Sequence, residues 1–194
     1  VQRSGNDLYL NHSNGSDLIR VRGHFYGTAY SIDEVAFADG TTWDSARLLE
    51  LAQLGTAAAD TLIGSAIDDR LDGLSGNDRI EGGDGADTLL GGAGDDRIEG
   101  NDGSDQITGG SGDDSLYGGA GSDSYQFASG WGEDYIDNYA YLRSGDVKTD
   151  RIVFEAGVTP AEITVQRSGN DLYLNHSNGS DLIRVRSHFY GTAY

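Results

Sequence analysis

The feature that most constrains this chain is a period of nine. From Gly55 to Gln126 the sequence divides without insertion into eight units, which open at Gly55, Gly64, Gly73, Gly82, Gly91, Gly100, Gly109 and Gly118. The sixth position of every unit is aspartate: Asp60, Asp69, Asp78, Asp87, Asp96, Asp105, Asp114 and Asp123. The eighth is Leu62, Leu71, Ile80, Leu89, Ile98, Ile107, Leu116 and Tyr125, so each unit supplies one apolar side chain and one carboxylate. Gly82–Leu90 (GGDGADTLL), Gly91–Glu99 (GGAGDDRIE) and Gly109–Tyr117 (GGSGDDSLY) carry the fullest form, with glycine at positions one, two and four. One such match means little; eight in phase are a strong signal.

Two units make one coil of 18 residues, and each unit is predicted to give a turn of about six residues and a strand of about three. The eighth position then points inward, while its neighbours, such as Arg79 and Glu81 or Arg97 and Glu99, face out. Coils stack about 4.8 Å apart, which places Asp60, Asp78, Asp96 and Asp114 along one edge and Asp69, Asp87, Asp105 and Asp123 along the other. Two carboxylates about 5 Å apart repel by about 3 kcal/mol at an effective dielectric near 20. Bare edges push the coils apart, so the pattern calls for a cation between them. Calcium accepts about six to eight oxygen ligands in loose geometry, and glycine turns expose carbonyl oxygens beside each aspartate. Magnesium demands a tighter octahedron, and zinc prefers His or Cys, which the repeat lacks. Pairing turns one coil apart suggests about five to seven ions.

Composition agrees. The formal charge is −19, and between Gly55 and Asp137 there are 19 acidic residues against Arg70, Arg79 and Arg97, a balance of −16. That field disfavours nucleic acid and anionic membrane and favours cations. An acidic disordered tail does not need an apolar residue at every ninth position. Cysteine is absent, as expected of an extracellular protein stapled by metal. No signal peptide and no apolar run of membrane-spanning length stands out. The chain has no methionine and opens in the middle of a strand-like pattern, which predicts a segment of a longer protein.

Residues 1–30 recur as 165–194 with Gly23 against Ser187 as the one difference. So exact a duplication, at an offset of 164 residues, predicts a tandem array whose neighbouring repeats are partners of one another. Each copy reads as a β-hairpin, Asp7–His12 and Asp17–Arg22 around Asn14-Gly15, then Asp171–His176 and Asp181–Arg186 around Asn178-Gly179. Ile32–Phe37 reads as a strand turned by Asp39-Gly40, and Asp44 caps a helix from Ser45 to about Gln53, whose Leu48, Leu49 and Leu51 cover an open core as a lid. After Gln126 the phase slips by two residues and returns at Ser129–Asp137 with Asp134 in the aspartate position. Phe127, Trp131, Tyr135, Tyr139 and Tyr141 are expected to plug the roll's end, with a sugar-stacking platform as the rival. Arg151–Phe154 and Glu162–Gln166 read as strands. The expected division is 1–54, the end of a preceding flank; 55–137, the roll; and 138–194, a β-rich capping flank.

At these motifs the chain resembles the repeats-in-toxin (RTX), haemolysin-type calcium-binding proteins. The likeness extends to Thr149–Phe154, Ser168–Leu172 and Phe37–Trp43, which are similar to the β-rich flank that follows such arrays. It implies an all-β fold, a right-handed parallel β-roll with flanking hairpins and one short helix, and export unfolded through a type I channel to a secreted or cell-surface location. The candidate ligands are the nine aspartates, Asp134 included. With them go the turns of Gly73 and Gly76, Gly82 and Gly85, Gly91 and Gly94, Gly100 and Gly103, Gly109 and Gly112, and Gly118 and Gly121. Ala58 and Ile67 replace the fourth-position glycine, so the carry-over of calcium sites is weakest at the roll's N-terminal end. The function this implies is a non-enzymatic calcium-folded module, an extension repeat of a large bacterial exoprotein or adhesin. A carbohydrate or surface-ligand module, with a cell-surface glycan as partner, and an accessory module of a secreted enzyme are the alternatives. The histidines fall into duplicate pairs, His12 with His176 and His24 with His188, and read as ordinary edge-strand residues. No nucleophile motif, HExxH or phosphate loop is present.

Overall fold

The computed structural model describes residues 2–4, 7–11, 18–22, 32–137 and 148–186. These form β1 (Gln2–Ser4), β2 (Asp7–Asn11), β3 (Leu18–Val21), β4 (Glu34–Ala36), β5 (Thr42–Asp44) and helix α1 (Ser45–Ala52). The coils follow as β6 (Thr61–Ile63), β7 (Arg70–Asp72), β8 (Arg79–Asp84), β9 (Thr88–Ala93), β10 (Arg97–Asp102), β11 (Gln106–Ser111), β12 (Ser115–Ala120), β13 (Ser124–Phe127), β14 (Glu133–Asp137) and β15 (Arg151–Phe154). The chain then ends its described part in β16 (Ile163–Ser168), β17 (Asp171–His176) and β18 (Leu182–Arg186).

Alternate strands stack in parallel and make the predicted β-roll. One sheet runs β16-β17-β18-β14-β12-β10-β8-β6-β1-β2-β3, and the facing sheet runs β15-β13-β11-β9-β7. Register is strict: Ile80, Ile98 and Leu116 align across β8, β10 and β12. All eight eighth-position side chains are at most 1% exposed and form one buried cluster between the sheets. Outside, Arg79 Nε donates to Glu81 Oε1 at 2.8 Å and its guanidinium lies 3.1 Å from Glu99 one coil on.

Strands β8 to β12 are six residues long, not three. Their ladders run on through the first three positions of the next unit, because a first-position glycine has no side chain to push the coils apart. Its backbone continues the inward-outward alternation, so the interior is lined by position eight and then by glycine.

Helix α1 starts where expected, with Arg47 N donating to Asp44 Oδ1 at 2.8 Å. Its buried pair is Leu48 and Ala52, one turn apart, while Leu49 is 38% exposed. It packs on Leu8, Leu10, Val21, Val35 and Trp43, so it is a lid over the first flank's hairpin sheet rather than over the roll's core. The expected strand at Ile32–Phe37 is shorter and forms a two-stranded ribbon of β4 and β5.

The two copies of the flank use opposite edges. In the second copy the third strand, β18, continues the roll parallel to β14. In the first copy the first strand, β1, meets β6 through Ser4 and Ile63. Identical residues therefore differ in burial, Ile183 being fully buried and Ile19 62% exposed. Phe127 and Trp131 are 2% and 1% exposed, with ring centroids 5.7 Å apart, and Trp131 lies tilted against Phe154 and edge-on to His176. These rings fill the end of the roll. His176 departs from its expected edge position, since β17 lies between β16 and β18 and the imidazole is buried. Tyr139, Tyr141, His12, His24, His188 and the Asn14-Gly15 turn lie outside the described residues.

Candidate metal centre

Each turn folds its sixth-position side chain back over the glycine that opens the same unit. A Cβ built on Gly91 would lie 2.2 Å from Asp96 Oδ2 and 2.5 Å from the Gly109 carbonyl oxygen, so only glycine leaves room for the carboxylate. Gly73, Gly82, Gly100, Gly109 and Gly118 face Asp78, Asp87, Asp105, Asp114 and Asp123 in the same way. The fourth-position glycines, Gly76, Gly85, Gly94, Gly103, Gly112 and Gly121, all adopt the left-handed region. A Cβ on Gly94 would also lie 2.2 Å from the Gly76 carbonyl oxygen of the coil before. Ala58 and Ile67 are tolerated because theirs are the first turns of the roll, with no earlier coil beneath to strike.

The aspartates form ladders along both edges. Asp60 N donates to Asp78 Oδ1 at 2.7 Å, Asp78 N to Asp96 Oδ1 at 2.8 Å, Asp96 N to Asp114 Oδ1 at 2.8 Å, and Asp114 N to Asp134 Oδ1 at 2.9 Å. On the other edge Asp69 N donates to Asp87, Asp87 N to Asp105, Asp105 N to Asp123, and Asp123 N to Asp150, at 2.8 to 3.1 Å. One carboxylate oxygen per rung is thus held by the preceding coil. The other is buried, and in Asp78, Asp96, Asp105, Asp114 and Asp134 it has no hydrogen-bond partner.

The first coil differs. Thr56 donates to Asp60 Oδ2 from its amide at 2.6 Å and its hydroxyl at 2.7 Å. Ser65 does the same for Asp69 Oδ2, at 2.7 and 2.9 Å. A hydroxyl at position two, where most later units have glycine, supplies locally what the interior turns lack. The fifth-position acids Asp68, Asp95 and Asp113 each accept, through Oδ1, an amide one coil on, from Ala86, Asp113 and Glu133.

Two residues of the site escaped the nine-residue phase. Asp150 occupies the rung after Asp123, and β15 pairs with β13 so that Ile152 sits opposite Tyr125. Lys148 reaches into the same rung. The signal was present, because the tripeptide Asp-Arg-Ile recurs at 78–80, 96–98 and 150–152.

Burial, countered only in part by the ladder amides, raises these carboxyls: Asp96 to about 6, Asp105 and Asp114 to about 7, and Asp134 to about 8. A carboxyl raised above its unfolded value near 4 stabilises the fold at acid pH, and that contribution is lost as pH rises through the folded value. In chelator the roll is therefore expected to gain β-sheet circular dichroism as pH falls from 8 towards 4.5. With the metal present the order reverses, and calcium affinity rises over pH 6 to 8 as protons leave. A chelated spectrum independent of pH across this range would contradict the placement of these groups.

The donor set is entirely oxygen, from carboxylates and turn carbonyls. Among the described residues no three His, Cys, Asp or Glu side chains converge as a cage, so carbonyls must complete any shell. Partnerless buried oxygens stacked at coil spacing, in flexible glycine turns, fit a hard dication of loose geometry such as calcium. They offer zinc neither nitrogen nor sulfur.

Parallel coils, an apolar file within and an aspartate ladder on each edge define a calcium-type β-roll. Residues 54–89 and 90–125 match the model of the RTX calcium-binding nonapeptide repeat (4 copies). Residues 7–47 match that of the haemolysin-type calcium binding protein related domain. The chain belongs to this RTX, haemolysin-type calcium-binding family, and its repeats are calcium-binding structural repeats. Among solved structures it is similar to the AlgE6R3 subunit of the Azotobacter vinelandii mannuronan C5-epimerase, at 25% identity over 71% of this chain and 76% of that one, with a TM-score of 0.35. It is also similar to the extracellular lipase LipA of Serratia marcescens, at 17% identity over 69% of this chain, with a TM-score of 0.29. The matched part spans 37% of the lipase.

Proposed function

We propose that this chain is a non-enzymatic module that folds on calcium after type I secretion and acts as an extension repeat of a large bacterial exoprotein or adhesin. The observation that carries the reading is the row of buried carboxylate oxygens without partners at Asp78, Asp96, Asp105, Asp114 and Asp134. A folded chain keeps such atoms only when something outside the polypeptide satisfies them. The ligands are the nine sixth-position aspartates with the turn carbonyls of the paired glycines, strongest from Asp78 onward. Calcium abundant outside the cell and scarce within it makes the same sites a switch between an exportable and a folded chain.

The flank supports the extension role. Its third strand finishes a roll at β14 and its first strand begins one at β6, so one 30-residue sequence presents an edge suited to each neighbour. The working division is 1–54 as incoming flank, 55–137 as roll and 138–194 as capping flank, with the strand after Asp150 lent back to the roll. Native mass spectrometry of the full chain is the test. The expected result is uptake of about five to seven calcium ions, with magnesium unable to replace them. A chain that takes up no calcium would refute the reading.

A further inference from the structure

Lys148 is the single lysine of the chain, and its side chain is 9% exposed. Its ammonium donates to the Gly119 carbonyl oxygen at 2.6 Å and lies 3.2 Å from Asp150 Oδ2 and 3.6 Å from Asp123 Oδ2. Both carboxylates are shielded, at 8% and 0% exposure. The register shows what this place is. Asp123 N donates to Asp150 Oδ1 and Thr149 N to Ser122 Oγ, so Lys148, Thr149 and Asp150 follow Gly121, Ser122 and Asp123 one coil on. Lys148 therefore stands in the fourth-position slot, and its side chain runs back between two successive rungs.

We infer that the Lys148 ammonium fills the last cation position of the Asp69–Asp150 edge, so that this edge ends on a charge built into the chain and not on a bound dication. The inference rests on the calcium reading of the inner rungs. Its three oxygen contacts, a second-position carbonyl and one oxygen from each of two consecutive aspartates, recur by register one coil back at Asn101, Asp105 and Asp123. Among the described residues no side-chain cation is paired with Asp105 there. A singly charged group costs the last rung less ordering than a dication shared with bulk water, and it needs no calcium to form. The opposite edge lacks this closure: Asp134 Oδ2 remains buried and without a hydrogen-bond partner. With Ser65 on Asp69 at the start of the same edge, Lys148 confines that edge's metal-dependent rungs to the interior.

The test is the calcium count of the full chain by native mass spectrometry, for wild type, K148M, K148R and the double variant K148M/D150N. K148M is expected to bind one more calcium than wild type, because removing the ammonium exposes two carboxylates and a carbonyl to the ion. K148R keeps the charge and should keep the wild-type count, and K148M/D150N should return to it. K148M binding the same number as wild type, binding fewer, or staying unfolded in saturating calcium would overturn the inference while leaving the calcium reading intact. Wild type binding none would overturn both.

Discussion

Stripped of metal at pH 8, the chain is expected to lose the β-sheet signal of the roll and to recover it cooperatively on addition of millimolar calcium. At each inner rung two carboxylates sit about one coil, 4.8 Å, apart and repel by about 3 kcal/mol at an effective dielectric near 20. Each also buries an oxygen whose lost solvation costs about 1–3 kcal/mol, more when charged. Binding at 100 times the dissociation constant contributes about 2.7 kcal/mol per ion. Several ions together therefore exceed the whole stability of about 5–15 kcal/mol that a domain of this size holds. Far-UV circular dichroism and thermal melting in chelator, calcium and magnesium read this directly. A melting temperature unmoved by exhaustive chelation would mean that the Asp78 to Asp134 ladder is neutralised by some other group.

The second large effect is an asymmetry between identical residues. Ile183→Ala is expected to destabilise the calcium-loaded protein by about 2–5 kcal/mol, the range for a truncated core isoleucine. Ile19→Ala, in the same sequence context, should stay within about 0.5 kcal/mol, as exposed positions do. Ile183 is fully buried in the cluster with Trp131, Ile136 and Val185, whereas Ile19 is 62% exposed on the outermost strand. Urea unfolding in saturating calcium measures both. Equal losses would show that the first flank is covered as the second is.

Much of the roll was legible because its covalent period matches half a coil. Once Leu62 to Tyr125 recur every nine residues with an aspartate two places before each, the pleat settles which side chains turn inward and which acids share an edge. Strand length was not legible, because nothing in a glycine pair says whether its amides join a ladder or a turn; coil stacking through Gly82 and Gly83 decided for the ladder. The terminal rung was missed because the chain between Asp137 and Lys148 breaks the period, although Asp150-Arg151-Ile152 repeats the earlier tripeptide. The helix face was misassigned for a similar reason. Leu48, Leu49 and Leu51 are equally apolar, and only the position of the first hairpin sheet selects Leu48 with Ala52.

What residue order alone determined is the roll itself: its interior file, its two acidic edges and the need for an oxygen-loving cation, all of which are consequences of spacing. What needed the three-dimensional structure is how each end is closed. Thr56 and Ser65 satisfy the first carboxylates, an ammonium enters the last rung of one edge, and twin flanks expose opposite strands. Those outcomes depend on which groups meet across coils, and two stretches of the same sequence carry no information about their different neighbours.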